Sequence, residues 1–564
     1  MYKRLFSFLV LLAATASAAA QTTLSNGIRL PAEWPPRYPL PTGRHEMPVP
    51  YLRHKPAVIP INNGRQLFVD SFLISSTTLE SVYHTPNYYR GNPVLEPTEK
   101  WELTTEGAPY ASPFSDGIWY DDREGIFKMW YLAGAGTMHR QSAQTFYTCY
   151  AESADGKAWR KVPLDVVPGT NVVDTCRRDA STVWLDREET DPSRRWKMFL
   201  IRSKPNADKR AKGYAWQLTL KYSPDGRRWS RGVAQSGYME DRSTAFYNPF
   251  TRKWAASMRG ATPVSFRSRY YAEHSDPETL VSLLHPVNWD TGEKYIRFWF
   301  APDDKELRHE KYPEVEPGIY NFDCIAYESI MLGQYSAWSG PENSVCKRDG
   351  IQKRNVIELG YSRDGFHFSR PSHKPFMNVD ETEGAWNWGN MQSVNGTPLI
   401  VGDSLYFYAS GRRLNKIMWD SYTSTGLATL RRDGFVSMHA GKKEGWLVTE
   451  RLTFDGKYLF VNADAGTRKS SLAVELLDAD GNVVPGYSRA DCIVMRAADS
   501  TKRMITWKRH ADVAALAGQT VRMKFYLTNA HLYAFWVSPW ESGESRGYTA
   551  GGGPGLNASG VDTK

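Results

Sequence analysis

Two aspartates at a shared offset and a glutamate inside an apolar run are the residues of this chain best equipped for acid–base chemistry. Asp179 and Asp241 each lie seven residues before a turn residue, Asp186 and Asn248, that follows a short aromatic strand. Arg178 precedes the first aspartate and Arg242 follows the second, and a guanidinium beside a carboxyl group favours its ionised form. Glu328 closes the run Tyr320-Asn321-Phe322-Asp323-Cys324-Ile325-Ala326-Tyr327. Burial in such a run raises a carboxyl pKa, and a raised-pKa acid near ionised ones is what a general acid requires. The competing reading makes the two aspartates strand-entry acids held by local amides, and Glu328 the partner of a buried arginine.

The elements that would bring these residues together are announced by a repeated phrase. Ser153-Ala-Asp155-Gly156-Lys-Ala-Trp159, Ser223-Pro-Asp225-Gly226-Arg-Arg-Trp229 and Ser362-Arg-Asp364-Gly365-Phe-His-Phe368 share one pattern. Asp-Gly supplies a hairpin turn and the aromatic residue anchors the next strand. Repeats of this kind must stack or close on one another to bury their apolar faces. Each phrase ends a set of three short strands, with Phe127-Lys-Met-Trp130 and Trp196-Lys-Met-Phe199 nearly superimposable. The pattern predicts an all-β chain: a five-bladed β-propeller over 65–425, then a C-terminal β-sandwich over 426–545 and a flexible tail over 546–564. Arg65-Gln-Leu-Phe-Val69 is the expected closing strand of the ring, and a sixth blade would have to come from Tyr295 to Phe300. In a propeller the innermost strands run along the central channel, so the shared offset puts Asp179 and Asp241 at one mouth of it.

Residues 1–20 read as a secretory signal, with Lys3 and Arg4 before an apolar stretch and Ala18-Ala19-Ala20 before Gln21. A periplasmic or secreted protein is expected, with an extended segment over 21–64 and no membrane span. The net charge of +9 is scattered and forms no basic stripe, which speaks against nucleic acid. Five cysteines, far apart and without neighbouring histidines, give no metal motif; an oxidising compartment permits a disulfide such as Cys324 with Cys346. No cofactor is called for, and a structural calcium has no motif behind it.

The repeated strand ends, the five-blade pattern and the following sandwich resemble the glycoside hydrolases of the invertase and arabinanase type (families 32, 43, 62 and 68). Arg178-Asp179 is similar to the Arg-Asp pair of the invertase branch, whose aspartate holds sugar hydroxyls. This sequence departs from that pattern: no Trp-Met-Asn-Asp-Pro-type motif opens the first blade, and Glu-Cys-Pro is absent. The resemblance implies cleavage of a terminal sugar from a plant or algal polysaccharide fragment by two carboxyl groups. On that reading Asp241 is base or nucleophile, Glu328 the acid and Asp179 a stabiliser. Asp323 and Glu106 are substitutes on other blades, and Arg178, Asn321 and Asn390 contribute to substrate binding. Trp386 and Trp388 stack on sugar faces or anchor packing, and Arg259 reaches an anionic sugar or spans the sheet as an ion pair. The alternatives are a non-catalytic carbohydrate-binding propeller, a sialidase-like or uronate-acting hydrolase, and an adhesion or scaffolding protein.

Overall fold

The computed structural model describes residues 22–103, 109–135, 147–205, 214–284, 295–394, 396–413 and 422–564. They form an all-β propeller joined to a two-sheet sandwich. The blades are up-and-down strand sets in chain order. Blade 1 holds Pro109–Ser112 with Ile118–Asp121, then Ile126–Ala135, Tyr147–Ser153 and Arg160–Lys161. Blade 2 runs Arg178–Leu185, Trp196–Pro205, Tyr214–Ser223 and Ala234–Gln235; blade 3 runs Thr244–Asn248, Lys253–Thr262, Ser265–His274 and Arg297–Phe300. Blade 4 comprises Gly318–Glu328, Ile330–Gly340 and Arg354–Ser362, and blade 5 Leu399–Val401, Ser404–Arg412 and Thr423–Arg431.

The repeated phrase fastens neighbouring blades. In the turn of blade 2, Asp225 Oδ1 accepts the N–H groups of Arg227 and Arg228, and Ser223 Oγ accepts that of Gly226. Gly226 takes a φ of +77° and a Cβ there would sit 2.5 Å from Trp130 of blade 1, so only glycine fits. Its carbonyl accepts Trp130 Nε1–H at 2.7 Å. Blade 1 docks on blade 5 in the same way, Tyr408 donating to Gly156 O at 2.7 Å, and blade 4 on blade 3 through Trp299 and Phe366 O, also at 2.7 Å. The phrase is therefore a clasp between blades as well as a hairpin turn.

Several boundaries differ from those expected. The outermost strand of blade 5 is Asn87–Tyr88, paired with Ala428 and Thr429; Gln66–Leu67 instead pairs with Ala530–Ser538 in the sandwich. Thr423–Arg431, whose apolar end reads as a sandwich strand, belongs to blade 5. Arg297–Phe300 is the fourth strand of blade 3 and starts no further blade. The sandwich draws strands from both sides of the propeller, Ile59–Pro60, Gln66–Leu67, Ile74–Thr77 and Glu80–Tyr83 joining those from Val436 onward. All five cysteines are free, so Cys324 and Cys346 are not bridged.

The end of the chain is ordered against the propeller, contrary to a flexible tail. Tyr548–Thr549 pairs with the last residues of the inner strand of blade 4. Gly551 O and Gly552 O accept the N–H groups of Tyr120 and Ile400 at 2.9 Å each. A Cβ at Gly553 would lie 1.6 Å from Ile400 O, so the glycine run is a condition of this close backbone approach. Low hydrophobicity misleads here because the tail is held by its backbone. It packs against the finishing ends of the inner strands, opposite the starts near which Asp179 and Asp241 lie.

Candidate active site at the channel mouth

The inner strands of blades 2, 3 and 4 begin at the same end of the channel, and each brings a carboxyl group there. Asp179 is the second residue of the first strand of blade 2, Asp241 lies just before the first strand of blade 3, and Asp323 lies deeper, midway along Gly318–Glu328 of blade 4. Arg242 ties them together. It adopts a left-handed φ of +56°, a conformation that costs an L-residue on the order of 1 kcal/mol. From there its backbone N–H donates to Asp179 Oδ1 at 3.0 Å and its guanidinium lies 3.8 Å from the Phe114 ring centroid. Nη2 donates to Asn321 Oδ1 at 2.6 Å and to Ser393 Oγ. Its carbonyl accepts both terminal nitrogens of Arg269. One fully buried arginine thus touches all the blades at the mouth.

The carboxyl groups sit in different electrostatic surroundings. Burial alone would raise Asp241, but Arg259, with which it forms an ion pair, and then Arg267 outweigh burial and hold it below the usual range. Asp179 moves the other way: burial raises it, and the charge of Asp241 raises it further. Its Oδ2 has no hydrogen-bond partner although the side chain is fully buried. Asp323 is pushed up to about 6 by burial, despite hydrogen bonds from Ser115 Oγ at 2.9 Å and Asn321 Nδ2 at 2.6 Å. The mouth therefore holds one carboxylate kept ionised and two carboxyls displaced toward the protonated form.

Glu328 is not part of this site. It ends the strand on which Asp323 lies, and five residues of extended chain separate them by roughly 16 Å. Its carboxylate is consumed where the propeller meets the sandwich: Arg432 Nη2 donates to Oε1 at 3.0 Å, Ser545 Oγ and the Arg65 N–H to Oε2 at 2.6 and 3.1 Å. Arg65 also bonds Asp433 Oδ2 at 2.8 Å and lies over Trp536. The bland reading of Glu328, partner of buried arginines, is the one observed.

Of the other expected site residues, Arg178 is fully buried and pairs with Asp116 of blade 1 at 2.9 Å, fixing Asp179 from behind. Arg259 is taken up by Asp241, with Glu240 at 3.3 Å. Asn321 spends its amide on Arg242, Ser115 and Asp323. Asn390 accepts from Asn355 at 3.0 Å and keeps a buried, unpartnered Nδ2. Trp386 is a packing anchor: a Cβ at Gly411 or Gly426 would meet its ring at 2.3 or 2.1 Å. Trp388, two residues on, is half-buried. Glu106 lies outside the described residues.

Sequence reasoning missed Asp116, the hub role of Arg242, and a basic group around Tyr320. The offset that finds Asp179 and Asp241 lands on Phe114 in blade 1. There the inner strand is broken between Ser112 and Ile118, Ser115 takes a φ of +69°, and the acid falls at Asp116. Lys353 Nζ donates to the Tyr320 hydroxyl at 2.8 Å, and the Arg267 guanidinium lies 4.0 Å from the Tyr320 ring centroid. Their sequence neighbourhoods carry no motif.

Asp303, Glu306 and His373 bring ligand-type atoms within 4.8 Å of one another on the outer side of blades 3 and 4. Arg370 already stands among them, donating to both oxygens of Glu306 at 2.5 and 3.1 Å and to Glu358 at 2.5 Å. A guanidinium occupies the place a cation would take.

No protein-family model matches the chain, and no curated protein matches it. Solved structures similar to it include a β-1,2-mannobiose phosphorylase from Listeria innocua, 14% identical with a TM-score of 0.38, over 61% of this chain and 96% of that one. A glycosyl hydrolase from Bacteroides ovatus is 13% identical with a TM-score of 0.38, over 62% of this chain and 94% of its own. A fructofuranosidase from Schwanniomyces occidentalis is 9% identical with a TM-score of 0.35, over 80% of this chain and 98% of its own.

Proposed function

We propose that this protein is an exported glycoside hydrolase that works at the Asp179–Asp241–Asp323 mouth of the propeller, removing a terminal sugar from a polysaccharide fragment. The observation that carries the reading is the opposed displacement of carboxyl groups contributed by adjacent blades. Asp241 is kept ionised by Arg259, while Asp323 is drawn up to about 6. Environments that push two carboxyl pKa values apart assign the acid and its partner.

Asp323 takes the role of proton donor to the leaving oxygen, in place of Glu328. Asp241, held low by arginines, suits attack on the anomeric carbon or stabilisation of the developing positive charge better than strong proton abstraction. Asp179 and Asn390 offer buried polar atoms without partners, and sugar hydroxyls would satisfy them. The signal-like first twenty residues support export.

The test is release of reducing ends from a panel of plant and algal oligosaccharides, with Asp241→Asn and Asp323→Asn as controls. Cleavage by the unaltered chain that falls about a thousandfold in both variants supports the reading. Cleavage that survives in both places the chemistry elsewhere, and binding without any cleavage makes the mouth a lectin-like site.

A further inference from the structure

We propose that the sugar seated at this mouth carries an anionic substituent, a uronate carboxylate or a sulfate ester, held by Arg267, Lys353 and Arg242. This rests on the glycoside-cleaving reading of the same mouth and names its substrate class. The three cations surround one ring: Arg267 Cζ, Lys353 Nζ and Arg242 Cζ lie 4.0, 4.7 and 5.3 Å from the Tyr320 centroid. Arg242 is fully buried and Lys353 is 7% exposed. Among the described residues Arg267 and Lys353 form no ion pair, and the carboxylate oxygen that Arg242 approaches, Asp179 Oδ1, is 4.0 Å from Nη1.

Crowding buried cations without counter-charge is expensive, and it persists where an anion is to be received. Arg242 Nε and Nη1 and Arg267 Nη1 are buried donors with no acceptor. The local carboxylates fill the need only in part: Asp241, ion-paired to Arg259, also acts on Arg267 through space, and Asp179 is displaced toward its neutral form. Tyr320 is the remaining candidate counter-ion. Burial raises its phenol, Lys353 and Arg267 draw it down to about 8, and at neutral pH it is mostly uncharged. Arg412, which donates to Gln392 at 2.6 Å and also forms no ion pair with a described residue, extends the basic surface toward blade 5. Guanidinium forks match the planar oxygens of a carboxylate and the oxygens of a sulfate equally well, so the shared chemistry is that of an oxyanion on a sugar ring.

Calorimetric titration of the full chain carrying Asp241→Asn tests this. The probes are galacturonate oligosaccharides with their carboxyl-reduced counterparts, and sulfated galactan oligosaccharides with their desulfated counterparts. At least one acidic series is expected to bind about 30-fold more tightly than its neutralised counterpart. Arg267→Gln and Lys353→Met, each checked for an unchanged unfolding temperature, are expected to remove most of that difference while leaving neutral binding as it was. The preferred series tells carboxylate from sulfate. Equal binding of acidic and neutral probes, no binding of either acidic series, or variants that keep the full difference would overturn the proposal. Acidic binding with this discrimination, but no hydrolysis by the unaltered chain or only an ultraviolet-absorbing unsaturated product, would overturn the hydrolase reading alone. Asp241-dependent cleavage of neutral glycosides with acidic ones ignored would do the reverse.

Discussion

The backbone N–H of Arg242 donates to Asp179 Oδ1 at 3.0 Å, so the residue that follows the Asp241 carboxylate also holds the carboxyl group of the neighbouring blade. Asp179 feels the charge of Asp241 across this turn, and Asp241 has the closer ion-pair partner, Arg259, which holds it ionised. That division of labour underlies the predictions below.

Asp241→Asn should lower kcat by two to four powers of ten, an order of magnitude typical for loss of a reacting carboxylate. The fold should survive, because Arg259 keeps Glu240 within 3.3 Å. Steady-state kinetics and an unfolding scan on the same sample check both parts.

Asp323 gives the proposed reaction a pH signature. Its carboxyl, raised to about 6, donates a proton only in the protonated form, so activity should fall as pH rises through about 6. The folded state also holds this proton where the unfolded chain, with an ordinary carboxyl near 3.8, has lost it. Stability from this group is therefore present below the unfolded value, declines as pH rises from about 4 to about 6, and is flat beyond. Asp323→Asn should abolish the alkaline limb of residual activity and flatten that slope, as read by kcat and unfolding temperature across pH. An unchanged alkaline limb would mean another group supplies the proton.

Glu328→Gln separates the structural glutamate from the reacting acids. Breaking a buried network with Arg65 and Arg432 should cost about 3 kcal/mol and lower the unfolding temperature, with kcat per folded molecule unchanged. A loss of kcat at full stability would return Glu328 to the chemistry.

Truncation after Glu544 should destabilise the propeller measurably. It removes the backbone bonds to Tyr120 and Ile400 and the strand against Tyr327 and Glu328. Chemical denaturation of the shortened chain, compared with the full one, is the measurement; equal midpoints would show the tail to be dispensable.

How much of this was legible in the sequence follows from how local each signal is. The Ser-x-Asp-Gly phrase is a self-contained turn, its serine and aspartate bonding backbone groups two and three residues on, and so it marked the blades correctly. Asp179 and Asp241 were found because regular inner strands keep one spacing. Asp116 was missed because Ser115 and Gly117, at φ values of +69° and +99°, break that spacing. Glu328 misled because a buried acid reads the same whether it reacts or pairs; its partners, Arg65, Arg432 and Ser545, come from distant segments that no local pattern announces. Lys353 and Arg267 converge on Tyr320 only through the ring of blades, which is a long-range property.

On the proposed function, sugar is bound and cut between Asp179, Asp241 and Asp323. A crystal structure of the Asp241→Asn chain soaked with an oligosaccharide that the unaltered chain cleaves tests it most directly. A sugar ring is expected at that mouth, its glycosidic oxygen within hydrogen-bond reach of Asp323 and its hydroxyls on Asp179 and Asn390. A sugar found at the tail-covered end of the channel, or in the groove lined by Trp34 and Tyr38, with the mouth empty, would contradict it.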